Sequence, residues 1–248
     1  MSRCFVIPVY NHPQTIAATV RSLLPFGLKV LVVDDGSDLP TKQVLQELAA
    51  ELGQMSLLTL PQNLGKGGAV MAGLTLASEL GFSHALQVDA DGQHDLTDIP
   101  ELWRLSEHQP LALISGAPVY DESIPTGRKI GRWITHFWVW VETLSFAVKD
   151  TMCGFRVYPL SACMQLFAKH QLGLRMDFDI EVMVRLYWQE VPVVFVPTKV
   201  IYPSGGRSHF MVFRDNWLIS KMHTRLFFGM LWRLPKLLWR NWKRRSHE

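Results

Sequence analysis

Apolar positions along the chain follow two rhythms. Short β-branched or aliphatic runs stand at 4–9, 30–34, 57–60, 85–89 and 111–115. Between them, at about 13–24, 41–52, 67–80 and 98–107, apolar residues recur at three- and four-residue steps. The runs predict strands and the stepped segments predict helices. Strands alternating with helices imply βαβ units, an α/β fold with a mainly parallel sheet flanked by helices. A run as continuous as Val30-Leu31-Val32-Val33 suits a strand covered on both faces. Ligands of such sheets sit beyond the carboxyl ends of the strands, so candidate chemistry is expected just after each run.

The second half is less regular. An aromatic-rich helix is predicted at 130–149, with Trp133, Phe137, Trp138, Trp140 and Phe146. Arg132, His136 and Glu142 interrupt it, leaving no apolar run of about 20 residues to span a bilayer. A Cys-Gly loop at 150–156, helices near 160–169 and 178–189 and an edge-like strand at 191–196 follow.

The last stretch reads as a helix with two stripes. Lys221, Arg225, Arg233, Lys236 and Arg240 make a basic one; Leu218, Met222, Leu226, Met230, Leu234 and Leu238 make an apolar one. That is the pattern of an amphipathic helix lying in a bilayer interface, with Trp at head-group depth; the alternative is a helix packed on the domain. Pro235 predicts a kink or break. Charge sharpens the contrast: residues 214–248 carry a net +7 and residues 1–213 a net −4. An anionic membrane surface is therefore the expected partner of the tail. Nucleic acid is not, because no other segment reads as a base-recognition module. The division expected is a catalytic-type domain at 1–213 and a basic membrane-interface tail at 214–248.

Composition narrows the class. The 248 residues fit one large domain or two small ones, and 48% apolar with 19% charged residues exclude a disordered, collagen-like or coiled-coil chain. Cys4, Cys153 and Cys163 are too few and scattered for a disulfide framework or a CxxC zinc site. The short first run, with Pro8 inside it, makes a poor signal peptide, so a reducing cytoplasmic setting is expected.

Polar clusters do follow the runs. Pro8, Tyr10 and Asn11 close the first: a ring can stack on a nucleobase and an amide can pair with its edge, although Asn and Pro also make plain turns. Asp34-Asp35-Gly36-Ser37-Asp38 closes the second, able to accept base N–H or ribose hydroxyls, or to cap the helix from about Thr41. Asn63-Leu64-Gly65-Lys66-Gly67-Gly68 opens the third helix; glycines admit a ligand to the backbone, and Lys66 adds charge at an anion-favouring helix start. It matches neither a P-loop nor GxGxxG. Asp89-Ala90-Asp91-Gly92-Gln93-His94 is the sharpest signal. Two acids two residues apart repel unless a cation sits between them, and Mg²⁺ or Mn²⁺ suits such oxygen ligands beside substrate phosphates. Gln93 or His94 can add a ligand.

These motifs, in this order and at these intervals, resemble the family 2 glycosyltransferases of the GT-A fold. More narrowly the chain looks like the dolichyl/polyprenyl-phosphate mannosyl- and glucosyltransferase branch. Asp150-Thr151-Met152-Cys153-Gly154-Phe155-Arg156 resembles that branch's acceptor-side motif, and the likeness covers about 4–210. It implies a Rossmann-like GT-A sheet and inverting transfer of a sugar from a nucleotide-diphosphate donor to a lipid-linked acceptor at the cytoplasmic membrane face. Pro8, Tyr10, Asn11 and Asp35 would line the nucleoside pocket, with Lys66 and Asp89 near the nucleotide sugar; Asp89 and Asp91, with Gln93, would hold the metal. Asp150 is the expected acceptor-side acid, a general base for a hydroxyl or an orienting group for a phosphate; Asp179 and Glu181 are its rivals. Arg128 and Arg132 flank the aromatic helix, where they can hold an acceptor phosphate or lipid head groups or stay solvated. In Ser204-Gly205-Gly206-Arg207-Ser208-His209, Arg207 and Ser208 would close on the diphosphate. His209 stands where the branch carries Lys, and is a candidate late metal ligand.

Three rivals remain from the residues alone. An aspartyl phosphohydrolase expects Thr or Val where Gln93 stands. A sugar nucleotidyltransferase expects a glycine-rich, Arg-containing loop where Tyr10-Asn11-His12-Pro13 stands. A non-catalytic nucleotide-sugar-binding relative is disfavoured by the intact Asp89, Asp91 and Asp150.

Overall fold

The computed structural model describes residues 1–119, 126–199 and 210–245. The first half follows the apolar rhythm closely: β1 (Arg3–Val9), α1 (Ile16–Leu23), β2 (Lys29–Asp34), α2 (Leu39–Glu51), β3 (Met55–Thr59), α3 (Lys66–Glu79), β4 (His84–Gln87) and α4 (Ile99–His108). Then come β5 (Leu113–Val119), α5 (Thr126–Thr143), β6 (Arg156–Pro159), α6 (Leu160–Lys169), α7 (Phe178–Trp188), β7 (Val193–Lys199) and α8 (Val212–Arg245). The strands make one sheet in the order β3-β2-β1-β4-β6-β5-β7, parallel except for β6, which runs against both its neighbours.

Alternation along the strands builds a core on each face. Phe5, Ile7, Val30 and Val32 point toward Ile16, Val20, Leu45 and Leu102. Cys4, Val6 and Leu31 point the other way, toward Val70, Leu74, Leu166 and Val184. Successive side chains of a strand take opposite faces, which is why the runs read as unbroken apolar stretches. Pro8 lies past the β1–β4 pairing, which ends at Val6–Gln87, so its missing N–H breaks no ladder bond there.

Four expectations change. Strand β6 falls partly in the expected 150–156 loop and was hidden by its brevity and by a buried Arg156. Strand β5 starts two residues later than expected and runs on to Val119. Helix α5 ends at Thr143 rather than at 149, where Leu144 turns to φ 51°. Helix α8 runs through Pro235 without a break. Leu231, whose carbonyl the proline leaves without its usual N–H, lies on the outward side of the helix.

The tail's stripes are oriented differently from a helix lying freely on a bilayer. Met222, Leu226, Met230 and Leu237 join the core shared with α5 and α7. Four of the five residues of the basic stripe turn toward α7 and the residues just after it: Arg225 binds Glu181 at 2.5 Å, Arg233 stacks 4.6 Å over Trp188, Lys236 pairs with Glu190 at 2.8 Å, and Arg240 donates to the Tyr187 carbonyl at 2.8 Å. What faces outward is aromatic: Phe213, Trp217, Phe228, Trp232, Trp239 and Trp242 are all exposed.

Candidate active site

At the tips of β1, β2 and β3 the loops are stitched together. Asn11 takes a positive φ of 55°, its N–H donates to Ser37 Oγ at 3.1 Å, and its Oδ1 accepts the Asp38 N–H at 2.8 Å. Asp38, not Asp35, caps α2, accepting the Thr41 N–H at 3.1 Å. Asp35 is buried, and it grips the glycine loop: Oδ1 accepts the Leu64 N–H at 2.7 Å, and Oδ2 accepts Gly65 N–H at 2.8 Å and Asn63 Nδ2 at 2.9 Å. Burial pushes its carboxyl up, although those N–H bonds oppose the rise. Gly65 sits at φ 98°, and a Cβ there would meet Leu174 and Arg175 at 2.6 Å, so only glycine permits this turn. Arg175, in turn, reaches Asn63 Oδ1 at 3.4 Å, adding a guanidinium to the pocket edge. Pro8 and the part-buried Tyr10 flank the same tips.

Lys66, the first residue of α3, is the centre of charge. Its Nζ lies 2.9 Å from Asp89 Oδ2 and 3.0 Å from Asp179 Oδ2, with side chains 18%, 20% and 6% exposed. Burial lowers an ammonium's pKa, but the two carboxylates outweigh it and raise that of Lys66; Lys66 and His94 likewise overcome burial to hold Asp89 well below the carboxylate range. Asp179 thus points from the first turn of α7 into the strand-end site and does not cap that helix. Glu181, two residues on, points elsewhere: it is fully buried, accepts from Arg185 at 2.6 Å and Arg225 at 2.5 Å, and bonds the Gly173 N–H at 2.8 Å. Its bonds brace α7 against α8, so the arrangement separates it from Asp179.

Asp150 is also fully engaged. One oxygen accepts the Met152 and Cys153 N–H groups at 2.8 and 2.9 Å; the other pairs with Arg132 and lies 3.6 Å from His136 Nε2. Burial would raise its carboxyl, yet His136, Arg132 and the Met152 N–H hold it at about 2. Arg132 and His136 are one turn apart on α5, so Asp150 aligns two cationic or donor groups on one face. Arg128 is a further turn back, in the first turn of α5, and its side chain is outside the described residues. Arg207, Ser208 and His209 also lie outside them.

The loop after β4 carries carboxylate oxygens of the kind a divalent cation would take. Among the described residues no three of His, Cys, Asp and Glu converge into a closed cage. Asp89 and Asp91 are two residues apart, and Asp91 uses Oδ1 to accept the Gln93 N–H at 3.1 Å. The His94 ring is buried, stacked 4.8 Å from Phe155, with neither nitrogen hydrogen-bonded and Nε2 3.5 Å from Asp89 Oδ2. This set suits a cation whose other ligands are substrate phosphates.

Beneath these groups lie Gln87, Tyr158 and Arg156, all fully buried; Gln87 and Tyr158 stand outside the motifs and Arg156 closes the one that begins at Asp150. The readable signals were a Gln ending an apolar strand and an Arg opening a short one.

Comparison with known proteins gives this geometry its context. The signature described as glycosyl transferase family 2 matches residues 4–169. A dolichyl-phosphate beta-glucosyltransferase of Trichomonas vaginalis is 30% identical over 73% of this chain and 60% of that protein; the mouse protein of that name is 29% identical over 77% and 64%. The chain therefore spans less than two thirds of the length of these relatives. A UDP-N-acetylglucosamine–dolichyl-phosphate N-acetylglucosaminyltransferase of Methanococcus voltae is 26% identical over 79% of this chain and 84% of its own. In fold, glucosyl-3-phosphoglycerate synthase of Mycobacterium tuberculosis, solved with UDP, superposes with a TM-score of 0.67 at 13% identity, covering 92% of this chain and 79% of that one. The sheet order, the strand-end clusters and the match over most of its length make this chain a member of glycosyl transferase family 2.

Proposed function

We propose that this protein is an inverting glycosyltransferase that moves a sugar from a nucleotide-diphosphate donor to a lipid-linked phosphate monoester. The observation that carries the acceptor class is the state of Asp150. A carboxylate held at about 2, with both oxygens occupied, is a poor proton acceptor near pH 7 but a good anchor for Arg132 and His136. A phosphate monoester is already an anion and needs no base; it needs cations and N–H donors in fixed directions. Arg132 and Arg128 would supply charge and His136 a ring N–H. The acceptor oxygen then attacks the anomeric carbon while the bond to the donor diphosphate breaks, and the nucleoside diphosphate leaves. The names of the curated relatives support a dolichyl-type lipid phosphate.

On the donor side, the loops held by Asn11 and Asp35 would form the nucleoside pocket together with Pro8 and Tyr10. Lys66 would face the diphosphate, with Arg207 and Ser208 closing over it. A Mg²⁺ or Mn²⁺ ion held by Asp89 and Asp91, with Gln93 and, by resemblance, His209, would neutralise charge on the departing diphosphate. The outward aromatic face of α8 and the exposed Trp133, Ile134 and Phe137 of α5 support a peripheral position on the cytoplasmic face of a membrane, residues 214–248 acting as the interface segment. Among the described residues no helix is long and apolar enough to cross a bilayer.

The test is a transfer assay with UDP- and GDP-sugars, Mn²⁺ and two acceptors, a short-chain polyprenyl phosphate and its free alcohol. Product is expected from the phosphate alone; equal transfer to the alcohol would overturn the acceptor class. A second expectation concerns Gly154, where a Cβ would meet Gln87 Nε2 at 2.6 Å, Asp89 Oδ2 at 2.7 Å and Lys66 Nζ at 2.8 Å. Gly154→Ala should keep its circular dichroism spectrum and lose about 100-fold in kcat/KM, because displacements of this size at a reacting site cost that much.

A further inference from the structure

Behind Asp89 runs a chain of buried hydrogen bonds whose direction is fixed at one end. Gln87 of β4 and Arg156 of β6 stand directly opposite each other in the antiparallel pair. The Asp89 carboxylate only accepts, so the Gln87 amide turns its NH₂ that way, donating to Oδ1 at 2.9 Å. Its Oε1 is thereby left facing the Tyr158 hydroxyl, which donates to it at 3.2 Å. Lys66 holds the other oxygen of Asp89 at 2.9 Å. Lys66 also lies 3.0 Å from Asp179 Oδ2, and the Asp179 backbone carbonyl accepts from Arg156 at 2.8 Å.

Gln87, Tyr158 and Arg156 are all fully buried. Polar groups at such depth are costly unless every member is satisfied, and their neighbours in these strands are Ala85, Leu86 and Val157. Apolar residues would serve the sheet as well. What the polar chain adds is a fixed rotation of one carboxylate at the strand tip.

We propose that Gln87 and Tyr158 are positioning residues of the transfer site, setting the rotation of the Asp89 carboxylate and hence the direction its lone pairs offer to the nucleotide's divalent cation. The inference rests on the metal-assisted donor site proposed above. Its logic is specific to the amide. In Tyr158→Phe the amide keeps its NH₂ toward Asp89 but loses the hydroxyl that anchors its Oε1, so neither it nor the carboxylate is held in one rotation. In Gln87→Met there is no amide to hold the carboxylate, and the tyrosine hydroxyl has nothing left to anchor. The two substitutions therefore act through one bond and should not add.

The experiment titrates Mn²⁺ against the full chain in the presence of UDP, and again of GDP, following the free-ion electron paramagnetic resonance signal, with thermal melting in parallel. Each single variant is expected to bind Mn²⁺ about 10- to 100-fold more weakly, as loss of an outer partner of a metal ligand does. The double variant should be no weaker than the worse single one. A wild-type midpoint in Tyr158→Phe, or multiplying effects in the double variant, overturns the proposal, because a purely structural role moves the melting temperature and not the Mn²⁺ midpoint. If Tyr158→Phe does not fold, Gln87→Met decides alone, and an unchanged midpoint there overturns it. No Mn²⁺ binding by the wild type with either nucleotide overturns this proposal and the metal reading together; normal wild-type binding with unaffected variants overturns this proposal only.

Discussion

Lys66→Met is expected to cost about 3 kcal/mol of stability at pH 7, lowering the melting temperature by about 10 °C, because it strands one buried and one part-buried carboxylate without their cation. The pH dependence identifies the cause. In the wild type, Asp89 is depressed below its unfolded value, so its contribution is present above about pH 4 and lost as pH falls. The Lys66 ammonium is raised, so its contribution is present below about pH 10 and lost only at higher pH. Between those limits the Lys66–Asp89 pair is charged and stabilising. Without the lysine, burial pushes the Asp89 carboxyl up, and its cost is relieved by protonation. The deficit relative to wild type should therefore be largest at pH 7–9 and shrink toward pH 4. Melting curves across that range measure it, and a deficit constant with pH would show that Lys66 acts by packing and not by charge. Adding Asp89→Asn to the variant removes one stranded charge and should recover part of the loss at pH 8.

The parts of this molecule that sequence could show are those whose chemistry stands at the end of a strong apolar run. Asp35, Lys66 and Asp89 follow β2, β3 and β4 because a parallel sheet puts its loops at one edge, and the spacing of the runs fixed that edge. Their partners were not readable. Asp35 is placed as a nucleoside contact by resemblance, yet its oxygens hold the glycine loop, a contact across 28–30 residues of chain. Glu181 and Asp179 look alike two residues apart on a helix, and only packing against α8 tells which faces the site. The stripes of α8 show the same limit. Periodicity identifies faces but not what covers them, and the basic face found Glu181, Trp188 and Glu190. Strand β6 was invisible because four residues between a Gly-Phe pair and a helix carry no period, and its Arg156 is tolerable at a buried sheet position through carbonyl partners on α7 and the 150–155 turn.

Asp150→Asn should separate the two roles an acceptor-side acid can have. The Asp150 side chain is only 5% exposed, and its carboxyl stands at about 2 against an ordinary 3.8, worth about 2 kcal/mol at neutral pH. Because the folded value is depressed, this contribution is complete above about pH 4 and disappears as pH falls through 4 toward 2. The variant is therefore expected to melt several degrees lower than wild type at pH 7 and to converge with it near pH 2–3. Asparagine keeps an oxygen for the Met152 and Cys153 N–H groups but turns donors toward Arg132, which loses its anchor. For the proposed reaction this predicts a KM for the lipid phosphate raised about tenfold, a kcat changed little, and a pH–rate profile of unaltered shape between pH 5 and 8. A general base would behave otherwise: its loss costs about 10²–10⁴ in kcat and removes the limb of the profile that it titrates. Steady-state rates at varied lipid phosphate and pH distinguish the outcomes. A kcat collapse at unchanged KM would return Asp150 to proton transfer and reopen the case for a hydroxyl acceptor.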